Sequence, residues 1–292
     1  MSYDVVVVGP PSLDLRFRGA PHLPAIGEEV HCSGLEIGAG GAAISAITAA
    51  RLGFSAAVAW PVGTDRSGAL LTGALADDGV DWIGPECEHT WVTAVVAVAG
   101  DRAMITHAPT GAPARPPDAR AQIVRLGDAA NGSAQRRYVV TDDPHARQGG
   151  TGPPPVPDCE ALLLNEREAR HLTGCADPLA GARLLMDRTG ARTVVVTLGA
   201  LGAVAATREP VGEARVAAFP TQVVDTTGAG DVFSGAYVCA DMLGWPLDRR
   251  LTLGCLAASL SVQSASGIPA APTRAALRQA AARHGMSIAE QL

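Results

Sequence analysis

The sequence predicts a three-layer α/β/α fold with a mainly parallel central sheet and a small β-sheet lid. Short apolar runs such as Val5–Val8 alternate with helical segments, which is typical of a parallel sheet covered by helices on both faces. Amphipathic strands near residues 13–18, 30–37 and 93–107 do not fit that alternation, so we expect a separate sheet over one edge. No internal repeat is evident. The sequence therefore indicates one α/β body with a β-sheet addition.

The size of the chain agrees with that prediction. It has 292 residues, of which 47% are hydrophobic and 18% charged, so a substantial core is possible. We expect a single domain over residues 1–292, with lid strands at approximately 12–37 and 92–107.

Composition excludes several function classes. All 23 basic residues are arginine, and the absence of lysine excludes P-loop NTPases, protein kinases with a V-A-I-K lysine, and Schiff-base or PLP chemistry. A net charge of −6 with 4% aromatic residues predicts no nucleic-acid partner, and no apolar run approaches the ~20 residues of a membrane helix. The N-terminal residues lack a basic signal-peptide region and the six cysteines form no C-x-x-C pair, so we expect a cytoplasmic protein.

Elements in the N-terminal half follow from periodicity and turn residues. In order, we predict strands at Val5–Val8, Leu13–Phe17 and Val30–Ile37, a helix from Gly38–Gly41 to Leu52, a strand at Ser55–Trp60, a helix at Asp65–Asp78, and hairpin strands at Thr93–Ala99 and Arg102–His107. Residues 108–137 give no strand, and Tyr138–Thr141 is the next predicted one.

The C-terminal half has a sharper pattern. In order, we predict a strand at Leu162–Leu164, helices at Glu166–Thr173 and Leu179–Thr189, strands at Thr193–Thr197 and Leu201–Thr207, and helices at Gly228–Leu243, Leu247–Ser264 and Thr273–His284.

The segment Val223–Asp231 (VVDTTGAGD) carries the strongest chemical signal. Small residues just before a helix let the amides of Gly228, Ala229 and Gly230 converge on one point, where the helix dipole adds positive charge. Asp231 falls in the first turn, where a carboxylate can take a proton from a hydroxyl that attacks phosphorus. We therefore expect an anion hole with a general base beside it.

In the segment Val223–Asp231, the chain resembles the ribokinase-like (PfkB) carbohydrate and nucleoside kinases. Segments resembling the family's motifs occur in the family's order, at Val5–Asp14, Gly38–Gly53, Val62–Gly68, Gly79–Asp81, Asp143–Arg147, Asn165–Glu168, Thr197–Gly202 and Asp225–Asp231. The resemblance spans nearly the whole chain apart from about 108–137. It implies a ribokinase-like fold and an ATP-dependent kinase that phosphorylates a hydroxyl of a small sugar or related carbohydrate.

The resemblance also implies roles for individual residues. Asp14, Gly40, Gly41 and Ser45 correspond to substrate-binding positions, and Thr197, Gly199 and Gly202 to the ATP-binding loop. Asn165 and Glu168 correspond to a magnesium motif that acts through water, and Asp225 and Thr227 to a monovalent-cation (K⁺) site. The lid further implies a homodimer formed through β-sheet pairing.

Two departures from the family pattern affect these expectations. Ser45 stands where many sugar kinases carry asparagine, so a ribokinase or fructokinase specificity does not follow. In Ala108–Arg137, relatives usually place a core strand and a crossover helix, and this chain gives a proline-rich stretch instead.

Alternatives stay open at this point. A nucleoside kinase of the same fold and a catalytically silent sugar- or nucleoside-binding protein both use the same scaffold. A dinucleotide-binding oxidoreductase would explain Gly38–Ala43 (GAGGAA), but the expected acidic residue ~20 positions further on is missing.

Overall fold

A computed structural model of the chain describes residues 2–98, 101–111, 115–127, 134–141, 156, 158–263 and 271–286. Its central sheet has nine strands, namely β1 (Tyr3–Val8), β4 (Ala56–Val58), β6 (Val80–Trp82), β10 (Ala119–Arg125), β11 (Ala134–Val140), β12 (Cys159–Asn165), β13 (Ala191–Thr197), β14 (Ala203–Arg208) and β15 (Val211–Val216). They lie in the order β15-β14-β13-β12-β11-β10-β1-β4-β6. Strand β14 runs opposite to the other eight strands of this sheet, which confirms the mainly parallel sheet.

Helices cover both faces of this sheet. They are α1 (Ala42–Arg51), α2 (Arg66–Asp77), α3 (Glu166–Thr173), α4 (Pro178–Arg188), α5 (Ala229–Met242), α6 (Leu247–Ser261) and α7 (Arg274–Arg283). Within β12, Ala161 and Leu163 pack in one core with α1, α5 and α6, while Leu162 and Leu164 pack in another with α3 and α4. Because alternate residues of a strand point to opposite faces, these helix sets form two outer layers, as predicted.

A second sheet of four strands supplies the lid. Its strands are β2 (Pro11–Arg18), β3 (Gly34–Gly41), β8 (Val92–Val98) and β9 (Asp101–His107), in the order β3-β2-β8-β9. Two short strands, β5 (Val62–Gly63) and β7 (Glu86–Cys87), pair separately. The small lid sheet confirms the second part of the fold prediction.

The middle of the chain differs from the sequence-based expectation. Residues 108–137 were expected to lack a strand, but β10 forms there and lies between β1 and β11. Alternation is weak in this strand because both of its faces are covered, so that Ala121, Gln122, Ile123 and Val124 are all buried. Eight residues, 126–133, separate β10 from β11. A helical crossover between parallel strands needs about a dozen or more.

None of the helices in the described part of the chain is long and apolar enough to cross a bilayer.

Candidate active site

Two helices begin at glycines and leave their first turns without a side-chain cap. Helix α1 follows Gly41 (φ 58°) and α5 follows Gly228 (φ 76°), and no described side chain caps either start. The two starts adjoin, since a Cβ on Gly228 would lie 2.5 Å from Ile44 Cδ1 and Ser45 Oγ donates to the Asp231 carbonyl oxygen at 3.0 Å. The positive ends of two helix dipoles therefore meet at one place.

The loop before α5 is coiled by its own hydrogen bonds. Thr227 N–H donates to Asp225 Oδ1 at 2.8 Å, and Ala229 N–H donates to the Thr226 carbonyl at 3.3 Å. A Cβ on Gly230 would meet nothing within 4 Å, so that residue borders open space. Asp231 follows in the first turn and is half-buried. This geometry can receive an anion beside a carboxylate, as the sequence predicts.

The same loop bears on the predicted K⁺ site. Thr227 Oγ1 is buried and has no hydrogen-bond partner among the described residues, which fits a cation ligand. Asp225 is close enough to bond Thr227 through its carboxylate, and its own N–H donates to the Val262 carbonyl at 3.3 Å. The resemblance places partner residues of this site near Ser261–Gly267, and of that stretch residues 264–267 lie outside the described part of the chain.

Asp14 lies on β2 with both carboxylate oxygens engaged. Ser12 Oγ donates to Oδ1 at 2.6 Å and Arg16 Nη2 donates to Oδ2 at 2.8 Å. Burial raises the pKa of Asp14, and the Arg16 charge and these two hydrogen bonds partly offset that rise. A Cβ on Gly40 would lie 2.2 Å from the Asp14 carboxylate, and one on Gly41 would lie 2.6 Å from the Pro10 carbonyl oxygen. Both glycines are therefore required by close approach at the substrate positions predicted from the sequence.

The lid reaches the loop before α5. Arg102, at the start of β9, donates from Nη1 to Thr226 Oγ1 at 3.0 Å. Thr106 of β9 and Thr93 of β8 are opposite one another with their Oγ1 atoms 3.2 Å apart, and Thr93 is in register with Asp14. Directly opposed residues share a face of the sheet, and so do residues four apart on one strand, such as Arg102 and Thr106. Asp14 and Arg102 therefore lie on the same, inward face of the lid.

The predicted ATP loop and a cavity are neighbours. Thr197 ends β13, and Gly199 and Gly202 both have positive φ, of 56° and 95°. A Cβ on Gly202 would lie 2.0 Å from the Val216 carbonyl oxygen, so the loop packs directly against the end of β15. Just beyond that point is a cavity of about 360 Å³, lined by Phe219, Pro220, Thr221, Gln222, Leu256, Ser259, Leu260, Gln263, Ala280, Arg283 and His284.

The predicted magnesium motif forms the start of α3. Asn165 Oδ1 accepts the Glu168 N–H at 2.9 Å and Glu168 Oε2 accepts the Asn165 N–H at 2.8 Å, which is a complete capping box. Thr141 Oγ1 also donates to Glu168 Oε2 at 2.5 Å. The described residues contain no cluster of three or more His, Cys, Asp or Glu side chains suited to a metal. One carboxylate and one amide suit a magnesium ion that keeps its waters.

Comparison with known proteins now decides the family. The model of the pfkB family carbohydrate kinases matches residues 4–146 and 150–274. The chain belongs to that family. It is 28% identical to the ribokinase of Arabidopsis thaliana, over 92% of this chain and 79% of that one, and 28% identical to the ribokinase of Haemophilus influenzae, over 87% and 90%.

A solved structure supports the same conclusion for the fold. The Arabidopsis thaliana ribokinase complexed with ribose and ATP superposes with a TM-score of 0.73 at 23% identity, covering 96% of this chain and 99% of that one. The ribokinase-like fold is thereby confirmed, and this pfkB family member is a kinase that transfers a phosphoryl group.

The structure brings together some of the residues predicted for this kinase. Gly40, Gly41 and Ser45 gather with Asp231 around the two open helix starts. Ser45 is 2% exposed and its hydroxyl bonds the Asp231 carbonyl, so it joins the two helices; its contact with substrate stays a prediction. The motif at Asp143–Arg147 lies outside the described residues.

Sequence reasoning missed two arginines. Arg16 could have been found, because residues i and i+2 of a strand share a face and Asp14 was already predicted on that strand. No local signal indicates the contact of Arg102 with Thr226, since 124 residues separate them.

Proposed function

We propose that this kinase transfers the γ-phosphoryl group of ATP to a hydroxyl of a small sugar or related carbohydrate. The observation that carries the proposal is the start of α5, where Gly228 leaves the first-turn amides uncapped beside the Asp231 carboxylate. Open amides at a helix start attract an anion, and the carboxylate supplies the base that the acceptor hydroxyl needs.

The proposed step balances as an in-line displacement. Asp231 takes the proton of the acceptor hydroxyl while that oxygen forms a bond to the γ-phosphorus. The bond from the γ-phosphorus to the β–γ bridging oxygen breaks, and ADP leaves with the electron pair. The amides of Gly228 and Gly230 form the anion hole that stabilises charge on the transferred group, and the Ala229 N–H joins them when it leaves the Thr226 carbonyl oxygen.

Asp14 is the proposed acceptor-binding residue. Each of its oxygens already accepts one hydrogen bond, from Ser12 or Arg16, and a carboxylate can accept about four in all. Its orientation is therefore fixed while lone pairs stay available for sugar hydroxyls. Gly40 and Gly41 let the acceptor approach the backbone at this point.

The nucleotide and the cations are proposed to bind at the same edge of the central sheet. Thr197, Gly199 and Gly202 would contact ATP, and the cavity beside them has room for its base. Asn165 and Glu168 would hold Mg²⁺ through water, and that ion would neutralise phosphate charge. Asp225 and Thr227 would contribute to a K⁺ site, which the orphaned Thr227 hydroxyl supports.

The domain extent, the cellular compartment and the oligomeric state complete the proposal. We place the whole chain, residues 1–292, in one kinase domain that acts in the cytoplasm, and the six free cysteines agree with a reducing compartment. The outward face of the lid exposes Leu35, Ile37 and Ile105, at 52%, 46% and 80%, which supports pairing with the lid of a second copy.

An acceptor panel tests the proposal. ADP formation from ATP would be measured with pentoses, hexoses and nucleosides, alongside the thermal shift caused by each compound. We expect turnover with a sugar. Turnover restricted to nucleosides would give the nucleoside kinase, thermal shifts without any turnover would give the silent binding protein, and NAD(P)H-linked activity would restore the oxidoreductase.

A further inference from the structure

The lid places an arginine against the anion-hole loop. Arg102 is exposed, shares the inward lid face with Asp14, and bonds Thr226 two residues before Gly228. Its guanidinium is thus one hydrogen bond from the loop whose amides receive the phosphoryl group in the proposed function.

The chemistry at this point needs a full positive charge. The phosphoryl group in flight is multiply negative, and Asp225 and Asp231 add two carboxylates to the same loop. The start of α5 offers only about half an elementary charge. Mg²⁺ would neutralise part of the remainder, and where many phosphotransferases add a lysine, this chain, which contains none, can add only arginine as a permanently cationic side chain.

We propose that Arg102 is a catalytic residue, which leaves Thr226 and binds the oxygens of the transferring γ-phosphoryl group when substrates are present. This inference rests on the proposed function. A planar guanidinium can donate hydrogen bonds to two phosphoryl oxygens at once, whereas a threonine hydroxyl offers it a single acceptor oxygen. The hydrogen bond to Thr226 Oγ1 helps to hold the side chain in place beforehand.

The position of Arg102 on the lid gives the interaction a second consequence. The strand that carries Arg102 belongs to the same sheet as Asp14, with β8 between the two strands, so movement of the lid over the acceptor and completion of the charge at the phosphoryl group become one event. Phosphoryl transfer is then slow until an acceptor is bound, which suppresses hydrolysis of ATP by water.

Activity measurements with three variants test the role. Arg102→Gln removes the charge, Arg102→Lys keeps it, and Thr226→Val removes one resting contact of the arginine and leaves its charge in place. We expect R102Q to lower kcat by about 10²-fold or more with little change in acceptor KM, R102K to recover part of the loss, and T226V to stay within about threefold of the wild type. Arg120→Gln is the matched control, because Arg120 is an exposed arginine paired with Asp4 at the start of its strand.

A binding measurement gives a readout besides activity. In the Asp231→Asn background, calorimetry would compare the Kd of ATP and ADP with and without R102Q. Contact with the γ-phosphoryl group predicts about tenfold weaker ATP binding with ADP binding nearly unchanged, a loss of about 1.4 kcal/mol for ATP alone.

Each other outcome contradicts the proposal. Equal losses in R102Q and T226V would reduce Arg102 to a lid latch, and equal weakening of ATP and ADP would remove it from the γ-phosphoryl group. Wild-type kcat in R102Q, with D231N inactive, would overturn this inference and leave the proposed function standing. If no acceptor supports turnover, the proposed function fails, and the ATP/ADP comparison still decides the role of Arg102.

Discussion

Helices α3 and α5 both carry a carboxylate at the third helical position, yet their starts are opposites. In α3, Glu168 reaches back to the Asn165 amide while Asn165 caps the Glu168 amide. In α5, Gly228 has no side chain to cap with, and no described side chain replaces it. The first start is closed by its own residues and the second is open.

The difference shows where this fold places ligand-binding capacity. A capping box satisfies the orphan amides of a helix and stabilises it, but it leaves little for an anion. An open start forgoes that stabilisation, and its amides and dipole are available to a ligand instead. We therefore propose that the phosphoryl group binds at the start of α5 and that α3 makes only an outer, water-mediated contact with a metal.

The largest expected effect comes from closing the geometry of the open start. In Gly228→Ala, the new Cβ would sit at φ 76° and 2.5 Å from Ile44 Cδ1, so backbone strain and the displaced Ile44 side chain together disturb the first turn. We expect kcat to fall by about 10²-fold, as misplacement of catalytic groups by about 1 Å does. Steady-state ADP release measures this effect.

The chain offers a matched control for that variant. Gly174 ends α3 with φ 74° and open space around it, so Gly174→Ala imposes the same backbone strain without the clash. It should lose about 1–2 kcal/mol of stability with kcat unchanged. If both variants lose kcat equally, general destabilisation explains the loss and the open start is not special.

A smaller effect is expected from opening the closed start. Asn165→Ala removes one half of the capping box and should cost about 1 kcal/mol of unfolding free energy. It should also raise the Mg²⁺ concentration needed for half-maximal kcat. Thr273→Ala, which removes the side-chain cap of α7, should cost similar stability without that change. An unaltered Mg²⁺ requirement in N165A would take Asn165 out of the metal site.

The smallest effect concerns Asp14, whose carboxylate, like that of Glu168, already accepts hydrogen bonds from neighbouring residues. Burial raises the pKa of Asp14, and the charge of Arg16 lowers it. If the ionised form binds the acceptor, then kcat/KM falls as the pH drops through this pKa. Arg16→Gln removes a lowering influence, so the acid limb should move to higher pH while kcat at saturating acceptor holds.

Ser12→Ala provides the comparison for Arg16→Gln. Removing its hydrogen bond also removes a lowering influence, so the limb should move in the same direction. The profile of kcat/KM against pH records both variants. An acid limb that stays in place or moves to lower pH in R16Q would exclude Asp14 as the acceptor-binding residue.

The sequence predicted the parts of the site that depend on local geometry. The start of α5 follows from small residues before a periodic helix, and the Asn165–Glu168 spacing already contains the capping box. Strand β10 escaped detection because Arg120 and the fully buried Gln122 interrupt its apolar residues. Neither amide atom of Gln122 has a hydrogen-bond partner among the described residues, which no sequence rule anticipates.

Contacts between distant segments were beyond the sequence. The bond from Ser45 to the Asp231 carbonyl depends on how α1 and α5 pack, over a separation of 186 residues. The bond of Arg102 to Thr226 likewise depends on the tilt of the lid over the central sheet. Such contacts follow from tertiary packing, and sequence periodicity does not encode it.

The central claim is that Asp231, at the open start of α5, is the base for phosphoryl transfer. The most direct test is kcat of Asp231→Asn at saturating ATP, acceptor and Mg²⁺, measured on protein whose Tm matches the wild type. The account predicts a loss of at least ~10²-fold, the lower range for removing a general base. Turnover within a few-fold of the wild type would contradict it.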